Sequence, residues 1–456
     1  MMLGAKIAVA RAAGALSRRS GRGATSLPGK LLMRMEPSAI ERLAGRLSQG
    51  SAVISATNGK TTTAAMVAAI LEQSQVRLVH NRAGANMAGG VASVLLAAAR
   101  GDGIDGDAGL FEVDEFWLDG VVAQLHPRAL LLANLFRDQL DRYGELETIA
   151  DRWAATVAAA PTTQLVLNAD DPLVADLGRA REHGDGVTYF GVEDDAVALR
   201  GMGHASDSKH CRRCGAPLHY DAVYMGHLGR YHCPNGDSHR PPPDVYATAI
   251  VLDGTRRARF ELHLRGEQAT VDLPLPGLYN VYNALGAAAL TSVLGAPLTE
   301  IVAGLASTRA AFGRAETVDV GGRDLAILLI KNPAGANEVL RTLALDAGEH
   351  EVFAVLNDRT ADGRDVSWIW DADFELIASR VRHVTCSGTR AAELALRLKY
   401  AGVAPERLDV VPDLEAGLDA ALREGDGRLI ALPTYTAMLA LRELLVARGA
   451  ATGSFA

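Results

Sequence analysis

Val53-Ile54-Ser55-Ala56-Thr57-Asn58-Gly59-Lys60-Thr61-Thr62 is the stretch on which the reading of this chain turns. Residues 53–55 read as a short buried strand, and 64–73 carry helical spacing with no breaker. The loop between them is polar and holds one glycine and one lysine. Strand, glycine-containing loop and helix in that order form a phosphate cradle. Backbone N–H groups and the helix N-terminus surround phosphate oxygens, the Lys60 ammonium adds a point charge, and the Thr61 hydroxyl can hold Mg²⁺. The expected nucleotide-binding residues are therefore Thr57, Asn58, Gly59, Lys60, Thr61 and Thr62. The full phosphate-loop consensus would place its first glycine at Ile54, where this chain has none. The competing reading is a surface lysine beside a helix cap.

Outward from the loop, apolar runs at 130–133 and 165–167 read as further buried strands, each followed by polar residues. Strands alternating with helices predict an α/β fold with a mostly parallel sheet covered on both faces. The composition agrees: of 456 residues, 48% are hydrophobic, 22% charged and 46 are glycine, which excludes a disordered chain. The net charge of −8 gives no basic field to attract nucleic acid. No apolar run reaches the roughly 18 residues of a membrane span. Four cysteines cannot form a disulfide scaffold and three of them cluster, so a reducing cytoplasm is the expected location.

Texture divides the chain. Residues 1–38 form a basic N-terminal segment; residues 39–312 form the ATP-binding domain, interrupted at 204–244 by a His-, Cys-, Gly- and Pro-rich insertion. Residues 313–456 form a second α/β domain with expected strands at 325–330, 352–356, 381–386 and 429–432. Residues 1–34 carry seven basic residues and no acid. Three readings stand beside each other there: a helix packed on the protein's own body, a cationic face resting peripherally on an anionic membrane, and a targeting peptide.

Within the insertion, Cys211-x-x-Cys214 and Cys233 have the spacing of a zinc ribbon, in which the metal replaces a core too small to fold alone. A regular second knuckle would put cysteine at 236, but this chain has Gly236. His239 is the expected fourth ligand, with His232 and Asp237 as alternatives and a metal-free ribbon as the opposing reading.

Several segments together resemble the Mur ligases, which join amino acids to peptidoglycan precursors through an acyl phosphate. Thr57–Thr62 is similar to their ATP loop, and Phe111-Glu112-Val113-Asp114-Glu115 to the stretch whose first glutamate binds Mg²⁺. Asn134-Leu135-Phe136-Arg137-Asp138-Gln139-Leu140-Asp141 resembles another family segment, with Gln139 in place of histidine. Asn168-Ala169-Asp170-Asp171-Pro172 matches a fourth. Asn280 and Asn283 stand where the family has an asparagine pair near the adenine, and Gly313-Arg314-Ala315-Glu316 resembles the segment that closes the ATPase domain. The resemblance implies a Mur ligase-like fold, with Lys60 and Arg314 absorbing phosphoryl charge and Thr61 and Glu112 holding Mg²⁺.

The inserted ribbon and the segment Asn357–Asp371, ending Trp368-Ile369-Trp370-Asp371, narrow the resemblance to the MurT branch, the ligase subunits of lipid II isoglutaminyl synthases. Lys331-Asn332-Pro333-Ala334-Gly335 and Thr434–Leu439 fall at other signature positions, though the ribose-contacting aspartate of the wider family corresponds to Leu328. The resemblance implies ATP-dependent amidation of the D-glutamate α-carboxyl in lipid II, at the inner face of the membrane. Nitrogen would come from a separate GatD-type glutamine amidotransferase, since Cys386 lacks the sharp glycine turn of a nucleophile. Asp365 is the residue expected to complete the partner's Cys–His pair, with Asp362 and Asp371 as the alternatives. A folylpolyglutamate synthase-like ligase and a zinc-ribbon nucleic-acid-binding NTPase are the rival readings.

Overall fold

A computed structural model of the protein describes residues 3–19, 26–81, 85–138, 146–181, 185–203, 206–309, 314–425 and 427–451, with side chains of 17–19, 314 and 315 outside the description. Apart from a two-stranded ribbon of Ala99–Arg100 and Gly103–Ile104, eleven strands among the described residues precede residue 300: β1 (Ser51–Ser55), β2 (Leu78–His80), β3 (Ala108–Glu112), β4 (Ala129–Leu132), β5 (Gln164–Asn168), β6 (Val187–Val192), β7 (His219–Met225), β8 (Leu228–His232), β9 (Val245–Asp253), β10 (Arg257–Leu264) and β11 (Glu267–Leu273). Nine of them form one sheet in the order β11-β10-β9-β6-β5-β4-β1-β3-β2, parallel from β9 to β2 and antiparallel at the β9-β10-β11 edge.

Alternation along the strands explains why the sheet is covered twice. Ala52 and Ile54 of β1 enter one core while Val53 enters the other; Ala129 and Leu131 of β4 part from Leu130 and Leu132 in the same way. Every residue of β1 and β4 is buried, so neither strand could face water on either side. The first core is closed by α3 (Lys60–Gln73), α4 (Leu278–Leu294) and α5 (Leu298–Ser307).

The second core includes α1 (Leu3–Arg19) and α2 (Leu27–Met35). Leu3, Ile7 and Ala10 are buried in it, Lys6 pairs with Glu36 at 3.0 Å, and Arg11 donates to the Leu96 carbonyl at 2.8 Å. Of the three readings of the N-terminus, packing on the body is the one these contacts match. Among the described residues no helix is long and apolar enough to cross a membrane.

Gly304 on α5 lies against Ile70 on α3, where a Cβ would stand 2.5 Å from the Ile70 Cα and 2.7 Å from its nitrogen. The two helix backbones leave no space for it. Gly304→Ala is expected to cost about 1–3 kcal/mol through this overpacking, read as a lowered Tm in thermal unfolding.

The second sheet uses β12 (Arg314–Val320), β13 (Arg323–Leu328), β14 (His350–Val355), β15 (Val381–Ser387), β16 (Leu408–Val410) and β17 (Leu429–Pro433), ordered β12-β13-β17-β14-β15-β16. Only the β12–β13 pair is antiparallel. Val352 and Ala354 face one core while Phe353 and Val355 face the other, so this sheet too is covered on both sides. Helix α6 (Pro333–Leu345) opens on Asn332, whose side chain accepts from the Gly335 N–H at 2.8 Å. The inserted β7–β8 hairpin stands apart as a two-stranded antiparallel sheet.

Candidate active site

Strand β1 lies between β3 and β4, and the chain crosses from one side of it to the other. The crevice at the carboxyl ends of such strands is where open α/β sheets bind ligands. The loop after β1 occupies it. Gly59 caps α3 in the left-handed region (φ 86°), and a Cβ there would overlap the Asn283 amide oxygen. Both constraints demand glycine, since an L side chain would meet strain and a clash together.

The cavity measures about 560 Å³ and is lined by all six expected loop residues, together with Glu112, Asn280 and Asn283. The asparagine pair is ordered along α4, where Asn283 donates to Asn280 at 3.0 Å, and the Thr63 hydroxyl of α3 donates to the Asn283 oxygen at 3.3 Å. Asn280 itself holds the Pro276 carbonyl at 2.7 Å, which fixes the pair at the start of α4.

Lys60 points into a nest of acids. Its ammonium contacts the Glu115 carboxylate at 2.6 Å and the Ala56 carbonyl. Burial pulls its pKa down, but the charges of Glu115, Asp114 and Glu112 outweigh it and hold the pKa above the usual lysine value. Glu115 is also buried, yet Lys60 and Lys331 keep it below the usual carboxylate value. The lysine is therefore a fixed cation at neutral pH.

Glu112 closes β3. Its backbone N–H donates to Asn81 at 2.9 Å and its carbonyl accepts from Asn81 at 2.8 Å, so the carboxylate is the part left free to act. The residue is 2% exposed, and its Oε2 has no hydrogen-bond partner among the described residues. A buried carboxylate oxygen without a donor is costly unless something cationic meets it. With the Thr61 hydroxyl, whose residue lines the same cavity, that oxygen suits a divalent cation bound with phosphate, as hard oxygen ligands favour Mg²⁺.

Three contributors carry no local mark of their role in the sequence. Glu115 stands there as one member of an acidic run. Lys331 crosses from the second sheet, donates to the Thr57 carbonyl at 3.0 Å and pairs with Asp138. Asn332 exchanges amide hydrogen bonds with Asn58 at 3.0 and 3.3 Å. The C-terminal sheet thus contributes both a cation and a clamp to the phosphate loop. Leu328, at the position of the wider family's aspartate, lines the cavity as an apolar residue. The Arg314 side chain and residues 139–141 of the Asn134–Asp141 segment lie outside the described residues.

The three ribbon cysteines converge, with Sγ atoms of Cys211, Cys214 and Cys233 within 4.8 Å of one another. Three thiols so placed fit a soft tetrahedral ion. His239 lies outside that group, as do the alternatives His232 and Asp237. The turn closing from Cys233 N–H to the Ser238 carbonyl at 2.6 Å sets His239 opposite His232 as a bridge partner, with its side chain exposed. The Asp237 side chain instead lies against the Cys214 thiol.

The signature acids separate cleanly. Asp362 is buried and spent on Thr436, accepting from its N–H at 2.7 Å and from its hydroxyl. Asp371 faces Arg137 at 3.5 Å. Asp365 is exposed and accepts the Ser367 N–H at 2.8 Å; that bond, with the Ser367 hydroxyl, holds its pKa below the usual carboxylate value. Cys386 is fully buried in β15, and burial lifts its thiol to about 12, so it is no nucleophile.

Residues 54–235 match the Mur ligase middle domain, and residues 329–438 match the MurT ligase C-terminal domain. The lipid II isoglutaminyl synthase (glutamine-hydrolyzing) subunit MurT of Streptococcus pneumoniae is 33% identical over 94% of this chain and 94% of its own length. The protein of that name from Staphylococcus aureus is 32% identical over 96% of this chain and 97% of its own. Among solved structures, a pseudomurein peptide ligase type C from Methanothermus fervidus shares the fold with a TM-score of 0.66, at 23% identity, over 89% of this chain and 80% of that one. The matched segments span both sheets and their shared cavity, and the chain belongs to the MurT family of Mur ligase-fold proteins.

Proposed function

We propose that this chain uses ATP to amidate the α-carboxyl of D-glutamate in the lipid II stem peptide, with ammonia from a separate GatD-type glutaminase. The observation that carries the chemistry is the buried Glu112 oxygen without a partner beside a permanently charged Lys60. Near full-length likeness to named isoglutaminyl synthase subunits supports the substrate.

The carboxylate oxygen attacks the γ-phosphorus of ATP, the bond to the β-phosphate oxygen breaks, and ADP leaves. Ammonia then adds to the acyl phosphate carbon; phosphate departs, a proton is lost and the amide remains. Thr57–Thr62 hold the phosphates by backbone N–H groups, and Lys60 neutralises the charge passing to the leaving oxygen. Glu112 and Thr61 hold Mg²⁺, which when bound screens the phosphate oxygens. Lys331 brings a second cation from the C-terminal sheet, and Arg314 is proposed to add a third. Asn280 and Asn283 position the base.

Asp365 is the acid offered to the partner's Cys–His pair. Its exposure and ionised state suit a group that must orient and charge-stabilise an imidazole on another chain. The basic segment 1–38, the ATP-binding domain 39–312 with its insertion 204–244, and the C-terminal domain 313–456 are the proposed functional units. A lipid-linked substrate would bring them to the inner face of the membrane from the cytoplasm.

Cys211, Cys214 and Cys233 are proposed to bind Zn²⁺, with Asp237 nearer to hand as a fourth donor than His239. Metal analysis of the purified protein is expected to find about one zinc per chain; a content far below that would contradict the assignment. For the reaction itself, the test is co-expression with the amidotransferase subunit and mass analysis of lipid II. Replacement of a hydroxyl by an amino group, dependent on ATP, is the expected result; unchanged lipid II would count against the proposal.

A further inference from the structure

The ribbon is fastened to the ATP-binding sheet at a buried acid, Asp170, and packs against the next, Asp171. Arg240, at the exit of the insertion, donates from Nε to Asp170 Oδ1 at 2.6 Å and from its other nitrogens to Glu193 at 2.6 Å and the Val192 carbonyl at 3.0 Å. Gly229 on β8 donates its N–H to the Asp170 carbonyl at 2.9 Å. The fully buried His227 lies 3.4 Å from Asp171, with its ring 4.8 Å from that of Phe136.

Asp170 does not serve the ribbon alone. Its second oxygen accepts the Tyr282 hydroxyl at 2.6 Å and the Val192 N–H at 2.9 Å. Tyr282 sits on α4 immediately before Asn283. One buried carboxylate therefore joins the inserted module to the helix that bears the asparagine pair. A buried ion pair costs several kcal/mol of desolvation per ion and is weak evidence for stability, so its place here calls for a positional reason.

The hairpin supplies that reason. It turns at Gly226 (φ 59°), where a Cβ would come within 2.9 Å of the Phe136 ring. Met225, the last residue of β7, consequently reaches the cavity of the phosphate loop and lines it beside Phe136, Leu275 and Tyr282, all in one packed cluster. A phosphate loop grips phosphates and leaves the base to be recognised elsewhere. A purine has two flat apolar faces, and a polarisable thioether beside aromatic rings is well suited to cover one.

We infer that the tip of the inserted hairpin is part of the nucleotide site: Met225 walls the purine ring, and the Arg240–Asp170 clip holds that wall against α4. This rests on the nucleotide reading of the cavity given above. Met225 is thus a binding residue, while Arg240 is a positioning residue that does not line the cavity.

The test is titration of the full chain with ADP and Mg²⁺, read by calorimetry. Met225→Ala is expected to weaken ADP binding roughly ten-fold, the scale of losing one buried apolar side chain, while Met225→Leu stays within about three-fold. Arg240→Gln should weaken ADP binding too, with the zinc content unchanged. Because a variant may fold poorly, the native chain with methyl-labelled methionine gives an independent reading. The Met225 methyl resonance, assigned from Met225→Leu, should shift on adding ADP. A Met225→Ala chain that binds ADP like wild type, or a Met225 methyl that ADP leaves unmoved, would overturn the inference. If the wild-type chain binds no ADP, the nucleotide reading itself fails and takes this inference with it.

Discussion

Lys60→Ala is expected to lower ATP-dependent amidation by about 10²–10³-fold, the effect of removing one preorganised charge donor from a phosphoryl-transfer site. The lysine is not a flexible surface group that a neighbour could replace. Its ammonium is buried against Glu115 at 2.6 Å, and the acids around it keep it charged in spite of burial. Removing it takes the loop's own cation from the cradle and leaves Glu115 with only the more distant Lys331 to offset its charge. Breaking a buried pair by deleting one partner costs about 3–5 kcal/mol, so a fall in Tm should accompany the loss of activity. The two effects separate in the double variant Lys60→Ala/Glu115→Ala. It should recover much of the Tm and none of the turnover. Recovery of amidation in the double variant would mean that Lys60 serves only to neutralise Glu115.

Asp365→Asn is expected to reduce glutamine hydrolysis by the assembled complex by about 10⁴-fold, as when a triad acid that orients a histidine is made neutral. Assembly should be unaffected, because Asp365 is exposed and, among the described residues, bonds only within its own turn to Ser367. Asparagine keeps an oxygen to accept that bond, so the loop should hold its shape while losing its charge. Asp362→Asn provides the contrast. Asp362 is buried, and burial raises its pKa against the opposing hydrogen bonds from Thr436. That position should affect Tm more than hydrolysis. Measuring ammonia release and co-elution of the subunits for both variants decides between them. Unchanged hydrolysis with Asp365→Asn would transfer the role to another acid.

The parts of the site that follow one another in sequence were legible from it. Strand, loop and helix around Gly59-Lys60 declare themselves through local periodicity and a glycine that no other residue could replace. Cys211, Cys214 and Cys233 were legible through knuckle spacing. What sequence did not disclose is where distant charges meet. Lys331 lies 274 positions from Thr57, and no local pattern marks a lysine as one that will cross between sheets. Glu115 shares its run with Glu112 and Asp114, and only the geometry at the end of β3 shows that Glu115 takes Lys60 and leaves a Glu112 oxygen free. His239 lies outside the thiol cluster for a similar reason. Ligand spacing fixes how far a residue can reach, but the turn from Cys233 to Ser238 decides which way it faces. The ribbon's attachment through Asp170 was equally hidden, because a buried arginine reads in sequence like any solvated one.

The proposed reaction requires an acyl phosphate made here and nitrogen delivered from elsewhere. Lipid II carrying heavy oxygen in the D-glutamate α-carboxyl, incubated with this chain, its amidotransferase partner, ATP, Mg²⁺ and glutamine, follows both at once. Amidated lipid II should appear together with one labelled oxygen transferred to inorganic phosphate, and this chain alone should release no ammonia from glutamine. Amidation with unlabelled phosphate, or glutamine hydrolysis by the isolated chain, would contradict it.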